Sequence, residues 1–308
     1  MGDSIFSNKR ILAISFLVYI AFRLLVLLFR IMPFWLLYRL SDFTYLLLYK
    51  IIGYRKKVVR KNLKNAFPQK TAKELKTIEK KFYQHLFDIL LEGIKGFSLS
   101  KETLLKRQKY LTPDLPQSII DKGKSALIVG GHYGNWEWGG MSASFHVSTD
   151  VVVLFSPIKN PYIDRYIKAS RGSYDTFFWA SPQAPRAFKA YKDKKATFVL
   201  IADQSPSNPK RAHWLPFLNQ DTAVLRGPAS YAHNYNIPLL FIDIQRVKRG
   251  YYTMAVSVIT EHPQDHSPQE LSAMYMQKLE GLILKRPELW LWSHRRWKHS
   301  RSNESTVN

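Results

Sequence analysis

A long apolar stretch near the N-terminus is the feature that most constrains the fold. Residues 11–29 contain a single charged side chain, Arg23. A helix needs about 20 apolar residues to cross a bilayer, so the stretch predicts a membrane anchor within residues 1–50. Arg23 must reach the interface or face protein. Two arrangements fit: one membrane span, or a pair of helices lying in the membrane interface, the second within the aromatic-rich segment 33–49. A cleaved signal peptide is disfavoured because no small-residue cleavage site follows.

The charge of the chain points to anionic partners. It has 46 Lys and Arg against 23 Asp and Glu, a net charge of +23. Six of the basic residues fall within residues 55–64, whereas only Lys9 and Arg10 directly precede the apolar stretch. The positive-inside rule therefore predicts that the body of the protein lies on the cytoplasmic side. An anionic membrane, an acidic protein, a phosphorylated substrate or a nucleic acid would all suit this charge.

The body of the chain alternates between buried strands and helices. Short apolar runs at 125–131, 150–155, 196–202 and 237–244 predict buried strands, and the alternating segment 252–259 predicts a further strand nearer an edge,. Helix-compatible segments follow or separate them, at 136–145, 161–171, 182–192, 227–236 and 268–285. This alternation predicts an α/β fold, with a mostly parallel central sheet flanked by helices. We assign residues 51–298 to one catalytic domain and residues 299–308 to a disordered tail.

A glycine-rich segment follows the first of these strands and carries the candidate chemistry. It reads Gly130-Gly131-His132-Tyr133-Gly134-Asn135-Trp136-Glu137. Ligands of open α/β sheets bind beyond the carboxyl ends of strands, where His132 is placed. If the chain turns at Gly134, the Glu137 carboxylate can fold back onto the imidazole, and such a pair suits general-base catalysis.

The absence of certain residue types and motifs limits the catalytic mechanisms that the chain can use. The chain has no Cys, which excludes a thiol nucleophile and a Cys-ligated metal site,. It also lacks a G-x-S-x-G elbow and an H-E-x-x-H motif,. We therefore expect His132 to deprotonate a substrate hydroxyl that attacks an acyl group directly, with no acyl-enzyme, no metal and no organic cofactor.

The segment HYGNWE at residues 132–137 resembles the HxxxxE motif of glycerolipid-type acyltransferases. More specifically, it resembles the signature of the bacterial lipid A late (lauroyl/myristoyl) acyltransferase family. Further blocks similar to that family follow a consistent order over most of the chain, at residues 60–68, 160–171, 203–204 and 287–298. The resemblance implies a glycerolipid-acyltransferase-like fold behind a helical anchor. It also implies a bacterial inner-membrane location, with the catalytic domain facing the cytoplasm.

The resemblance also implies roles for individual residues. His132 would be the general base and Glu137 its partner. Arg171 would bind phosphate or steady developing negative charge, with Arg165 as the alternative contact, and Asp203 would orient a polar or cationic group in the site. The remaining candidates would shape the site or bind the anionic substrate: Asn135, Gln204, His294, Arg295 and Arg296.

The family's donor is an acyl thioester on acyl carrier protein, an acidic partner that a basic surface would steer. The acceptor implied is a lipid A precursor. The same chemistry on a lysophospholipid, an aminolipid or another glycolipid remains an alternative. A membrane-anchored basic binding protein is a second alternative, but we expect no nucleic acid partner because no recognised nucleic-acid module is present.

Overall fold

A computed structural model of the protein describes residues 2–171 and 176–301. Eleven α-helices lie within these two ranges. They are α1 (Gly2–Ile31), α2 (Phe34–Tyr45), α3 (Lys56–Ala66), α4 (Ala72–Gly96), α5 (Lys101–Arg107), α6 (Asp114–Asp121), α7 (Trp136–Ser142), α8 (Pro161–Arg171), α9 (Ala184–Ala190), α10 (Gly227–Tyr235) and α11 (Pro268–Lys285). A π-helical segment, Leu46–Ile52, follows α2, and a 3₁₀ turn, Ala143–His146, follows α7.

Nine strands are present in the same part of the chain. They are β1 (Gln108–Tyr110), β2 (Ala126–Gly130), β3 (Asp150–Phe155), β4 (Thr176–Ala180), β5 (Ala196–Ile201), β6 (His213–Phe217), β7 (Gln220–Val224), β8 (Leu239–Lys248) and β9 (Tyr251–Thr260). Seven form one sheet in the order β1-β9-β8-β2-β5-β3-β4, while β6 and β7 form a separate hairpin. All pairs in the large sheet are parallel except β8 with β9.

The predicted fold class is therefore confirmed. The five predicted strands correspond to β2, β3, β5, β8 and β9, and every residue of β2 is buried, as expected for a strand covered on both faces,. The two longest helices of the body begin where the sequence carries capping boxes. Thr71 with Glu74 starts α4, and Ser267 with Glu270 starts α11,. The domain boundaries at residues 50 and 298 remain predictions, and most of the proposed tail lies outside the described residues.

Helix α1 carries the apolar stretch and lies along the body of the protein. Residues 11–31 form the one segment of the described chain long and apolar enough to cross a membrane. One face of α1 contacts the body: the Asn160 side chain donates to the Ser15 carbonyl, Arg23 stacks on Tyr166, and Phe29 is buried. Large apolar side chains on the other faces are exposed. The helix can therefore serve as a membrane anchor.

Candidate active site

His132 and Asp203 form the centre of the site. The Nδ1 atom of His132 lies 2.6 Å from Oδ1 of Asp203. The other carboxylate oxygen, Oδ2, accepts hydrogen bonds from the His132 backbone N–H at 2.9 Å and from Nε1 of Trp290 at 2.7 Å. Asp203 follows β5 and His132 follows β2, and these strands are neighbours in the parallel sheet. The side chains therefore meet at the carboxyl edge of the sheet, where ligands of such sheets bind.

The electrostatics of this pair suit a general base. Burial opposes ionisation of Asp203, but the His132 ring and the hydrogen bonds from His132 and Trp290 outweigh it and lower the pKa of Asp203 to about 2. Burial alone would lower the pKa of His132, yet the Asp203 carboxylate raises it above its usual value. The ionised Asp203 accepts from Nδ1–H, so Nε2 carries the lone pair that can take a proton.

Gln204 lies on the open side of the imidazole. Its Nε2 atom is 3.2 Å from Nε2 of His132 and can donate to that lone pair. Trp136 packs against the same ring, edge to face, with the ring centroids 5.1 Å apart. An incoming hydroxyl would therefore take the place of the Gln204 amide at Nε2, and Gln204 would then be free to contact the substrate.

The loop after β2 depends on its glycines. Gly134 has a φ of +64°, and a Cβ atom there would collide with the backbone oxygen of Ile244. At Gly131 a Cβ atom would come within 2.8 Å of Cδ1 of Leu279 and within 3.1 Å of Oδ2 of Asp203. Glycine is thus required at 134 for the turn, and at 131 a side chain would press on Leu279 and on the Asp203 carboxylate.

Asn135 ends this loop and starts α7. Its side chain accepts from the Trp138 backbone N–H and donates to Oε2 of Glu92, and it is fully buried. We predicted that Asn135 binds substrate, but the structure makes it the N-cap of α7. Its contribution to the site is to orient the loop that carries His132.

Glu137 was predicted to be the partner of His132. The structure gives the hydrogen bond at Nδ1 to Asp203, while Glu137 acts on His132 through its charge, which also raises the pKa of the imidazole. Glu137 lies on the first turn of α7 and lines the same cavity as His132. Both carboxylates are thus in the site, with Asp203 bonded to the ring.

The C-terminal block supports the site from behind. Nε2 of His294 accepts from the Ser205 backbone N–H at 3.2 Å, and burial with the nearby Arg296 lowers the pKa of His294 to about 4. Arg296 is buried and donates to the Ala223 carbonyl at 2.7 Å. These two residues were predicted to shape the site or bind substrate, and in the structure they hold the surrounding backbone. Arg295 is exposed.

Two candidate phosphate contacts lie on α8. Arg165 is exposed on this helix. Arg171 is the last residue of α8, and its side chain lies outside the described residues. Its predicted role at phosphate or at developing charge stays a prediction.

An apolar cavity of about 610 Å³ opens beside His132. Its polar end contains His132, Glu137 and Gln204. The rest of the wall comes from the sheet and from the helices α4, α6, α7 and α8, and most of its side chains are apolar, among them Ile89, Phe97, Ile128, Ala143, Val147, Val153, Val199 and Val256. A flexible aliphatic chain fits such a space, with its reactive end at the imidazole.

Buried polar residues of α4 hydrogen-bond to the loop that carries His132, and the sequence analysis did not identify them. Glu92 is fully buried and accepts from Tyr38, Tyr252 and Asn135. Burial raises the pKa of Glu92 to about 7. His85, also buried, lies with Nε2 3.2 Å from the Gly134 carbonyl. The available signal was the spacing of His85, Asp88 and Glu92, a polar row along one helix face inside an otherwise apolar pattern.

Comparison with known proteins identifies the family. The sequence profile described as bacterial lipid A biosynthesis acyltransferase matches residues 4–299. The chain belongs to this family. It is also 22% identical over 271 residues to the lipid A biosynthesis lauroyltransferase of Escherichia coli (strain K12), and the match covers 87% of each protein. The predicted resemblance is thereby confirmed, and the protein is an acyltransferase.

Proposed function

We propose that this acyltransferase moves a fatty acyl chain from acyl carrier protein to a hydroxyl of a lipid A precursor. The observation that carries the proposal is the position of the His132–Asp203 pair at the polar end of an apolar cavity of about 610 Å³. The family supplies the acceptor class, and the lauroyltransferase from Escherichia coli is consistent with a medium-length saturated chain. The basic net charge of +23 favours encounter with an acidic carrier protein,.

The reaction follows from the geometry of the imidazole. Nε2 of His132 takes the proton of the acceptor hydroxyl while Asp203, through Nδ1–H, stabilises the imidazolium,. The hydroxyl oxygen forms a bond to the thioester carbonyl carbon, and the carbon–sulfur bond then breaks. The imidazolium returns its proton to the departing thiolate. The products are an acyl ester and the free thiol of the carrier, and no acyl-enzyme forms.

A bacterial inner-membrane location, with the body on the cytoplasmic side, accounts for the N-terminal region. The basic cluster at 55–64 suits anionic head groups there,. Of the two arrangements of α1, the interfacial one is favoured by its contacts. Body residues touch α1 from Ser15, through Arg23 on Tyr166, to the carbonyl of Phe29, which accepts from Lys95. A helix that crossed the bilayer would draw the polar surface of α8 toward the hydrocarbon.

Single cysteines distinguish the two arrangements, because the chain has none of its own. Ser7→Cys labels the start of α1, and Ser300→Cys labels the exposed end of the body. A membrane-impermeant maleimide applied to spheroplasts should label neither cysteine if α1 lies in the cytoplasmic interface, and both after lysis. Labelling of Ser7→Cys alone in intact spheroplasts would show that α1 spans the membrane.

The acyl transfer is tested by mass spectrometry of lipid A and total polar lipids from cells with and without the chain. We expect lipid A without the protein to be lighter by one acyl group, and complementation by the wild type but not by His132→Gln to restore it. His262→Gln is the matched control, because His262 is exposed and does not line the cavity. Unchanged lipid A with an altered phospholipid or aminolipid would show that the acceptor is a phospholipid or aminolipid instead of a lipid A precursor. No lipid change in cells lacking a redundant homologue would overturn the proposal.

A further inference from the structure

Helix α7 forms one wall of the cavity, so a side chain on this helix can limit the length of acyl chain that the cavity holds. We propose that Gly140 determines which acyl chain lengths the enzyme accepts, because the space beside its Cα is part of the acyl-chain site. This inference rests on the proposed function. It concerns chain-length selection rather than the transfer step itself.

The position of Gly140 on α7 places it on the cavity face. Trp136, Glu137 and Ala143 all line the cavity, and they stand four before, three before and three after Gly140. Residues at these spacings share one helix face. With a rise of about 1.5 Å per residue, Gly140 lies about 6 Å along α7 from Trp136, which packs on the catalytic ring,. A chain that starts at His132 therefore passes Gly140 on its way inward.

The cavity extends well beyond this point. Its wall includes Thr197, which pairs with Ala126 at the start of β2. Gly130, at the other end of β2 and next to the catalytic loop, is four residues away, or about 13 Å along the strand. Ile128 and Val199, which pair in the middle of the same two strands, line the cavity as well. A side chain at position 140 would thus lie between the catalytic end and the inner part of the cavity.

The glycines around the cavity differ in what a side chain would meet. A Cβ atom at Gly139 would come within 2.7 Å of Cδ1 of Ile244, so that position is packed against the sheet. A Cβ atom at Gly93 would lie 3.5 Å from Cγ of Glu137. At Gly140 it would meet nothing within 4 Å, and the backbone there has no positive φ. Gly140 is therefore the cavity glycine at which a larger side chain can be added without moving its neighbours, and it would occupy acyl-chain space.

The test is a graded series at one position. Gly140→Ala, Gly140→Val and Gly140→Leu are purified as full chains and offered a mixture of acyl carrier proteins bearing saturated chains of graded length, with a lipid A precursor as acceptor. The measurement is the ratio of kcat/KM for long and short chains. We expect the preference to move toward shorter chains with side-chain size, and the ratio to fall by about tenfold or more for Gly140→Leu, as for one or two misplaced methylenes in an apolar pocket.

Gly281→Leu is the matched control. Gly281 lies within α11, a Cβ atom there also meets nothing within 4 Å, and it does not line the cavity. It should keep the wild-type ratio. An unchanged ratio in Gly140→Leu, or an equal loss for every chain length across the series, would overturn the role of Gly140. Either result leaves the proposed function standing, whereas absence of transfer by the wild type would overturn the function itself.

Discussion

The two ends of the cavity are built on different principles. At the catalytic end, both oxygens of Asp203 and both ring nitrogens of His132 have hydrogen-bonding partners. Further in, side chains such as Ile128 and Val199 meet through apolar surface. A hydrogen bond requires a donor opposite an acceptor, so exchanging one oxygen for an N–H group at the catalytic end can abolish activity. Apolar walls limit the volume that a substrate chain can occupy, so changes there alter kcat/KM by the amount that one methylene group more or less is worth.

The largest effect should follow from Asp203→Asn, which changes one atom type at the catalytic end. Two N–H groups, from the His132 backbone and Trp290, point at Oδ2. The amide oxygen of Asn would sit there, and its NH2 group would face Nδ1 of His132. The imidazole would then carry its proton on Nε2 and could not act as the base. We expect kcat to fall by about 10²-fold or more, measured by acyl transfer from acyl carrier protein.

A thermal unfolding scan of Asp203→Asn serves as the control for folding. The asparagine keeps the size of the side chain and the two hydrogen bonds at Oδ2, so the folded protein should persist. A folded Asp203→Asn variant with wild-type kcat would remove Asp203 from the catalytic pair.

A smaller effect is expected from Glu137→Gln, which tests the two carboxylates against each other. The charge of Glu137 raises the pKa of His132, after the larger contributions of burial and Asp203. In the proposed mechanism His132 acts in its neutral form, so activity should rise with pH through this pKa. Loss of the Glu137 charge should move the acid limb of the kcat/KM profile to lower pH. The loss of kcat on the plateau should be smaller than in Asp203→Asn.

The comparison between these variants is informative in both directions. If Glu137→Gln costs more than Asp203→Asn, the bond seen between His132 and Asp203 is not the one that matters in the reaction, and the sequence-based pairing of His132 with Glu137 is restored. If the acid limb of the kcat/KM profile of Glu137→Gln lies at the same pH as in the wild type, the Glu137 charge does not affect the pKa of His132.

The smallest effect on the chemistry should come from the inner part of the cavity. Gly140→Leu adds no charge and no hydrogen-bonding atom near His132. With a short acyl donor, its kcat/KM profile should therefore have the same acid limb as the wild type, measured over the same pH range. A shifted limb would mean that the two ends of the cavity are electrostatically or structurally coupled.

Local patterns predicted the strands better than the site. The strands β2, β3, β5 and β8 are apolar runs that sit inside the sheet, and burial on both faces leaves a clear pattern,. The edge strand β4 and the hairpin β6–β7 were not predicted. Their alternation is short, and at Pro216 a proline interrupts it.

The residues that contact His132 could not all be assigned from local sequence patterns. His132 was placed correctly at the end of a strand because its glycines and the strand are adjacent in the sequence. Its bonded partner stands 71 residues away, and the choice between Glu137 and Asp203 depends on which strands are neighbours. Arg296 looks like a substrate contact in sequence, yet it is buried against the Ala223 carbonyl. Burial of an individual cation depends on packing that no local pattern reveals.

The most direct measurement is acyl transfer by the purified full chain, with acyl carrier protein as donor and a lipid A precursor as acceptor, followed by mass spectrometry. The wild type should add one acyl group to the precursor. His132→Gln should fold as the wild type does and transfer at least about 10²-fold more slowly, since its side chain cannot take the hydroxyl proton. Transfer by folded His132→Gln at the wild-type rate would contradict the role of His132 as the base.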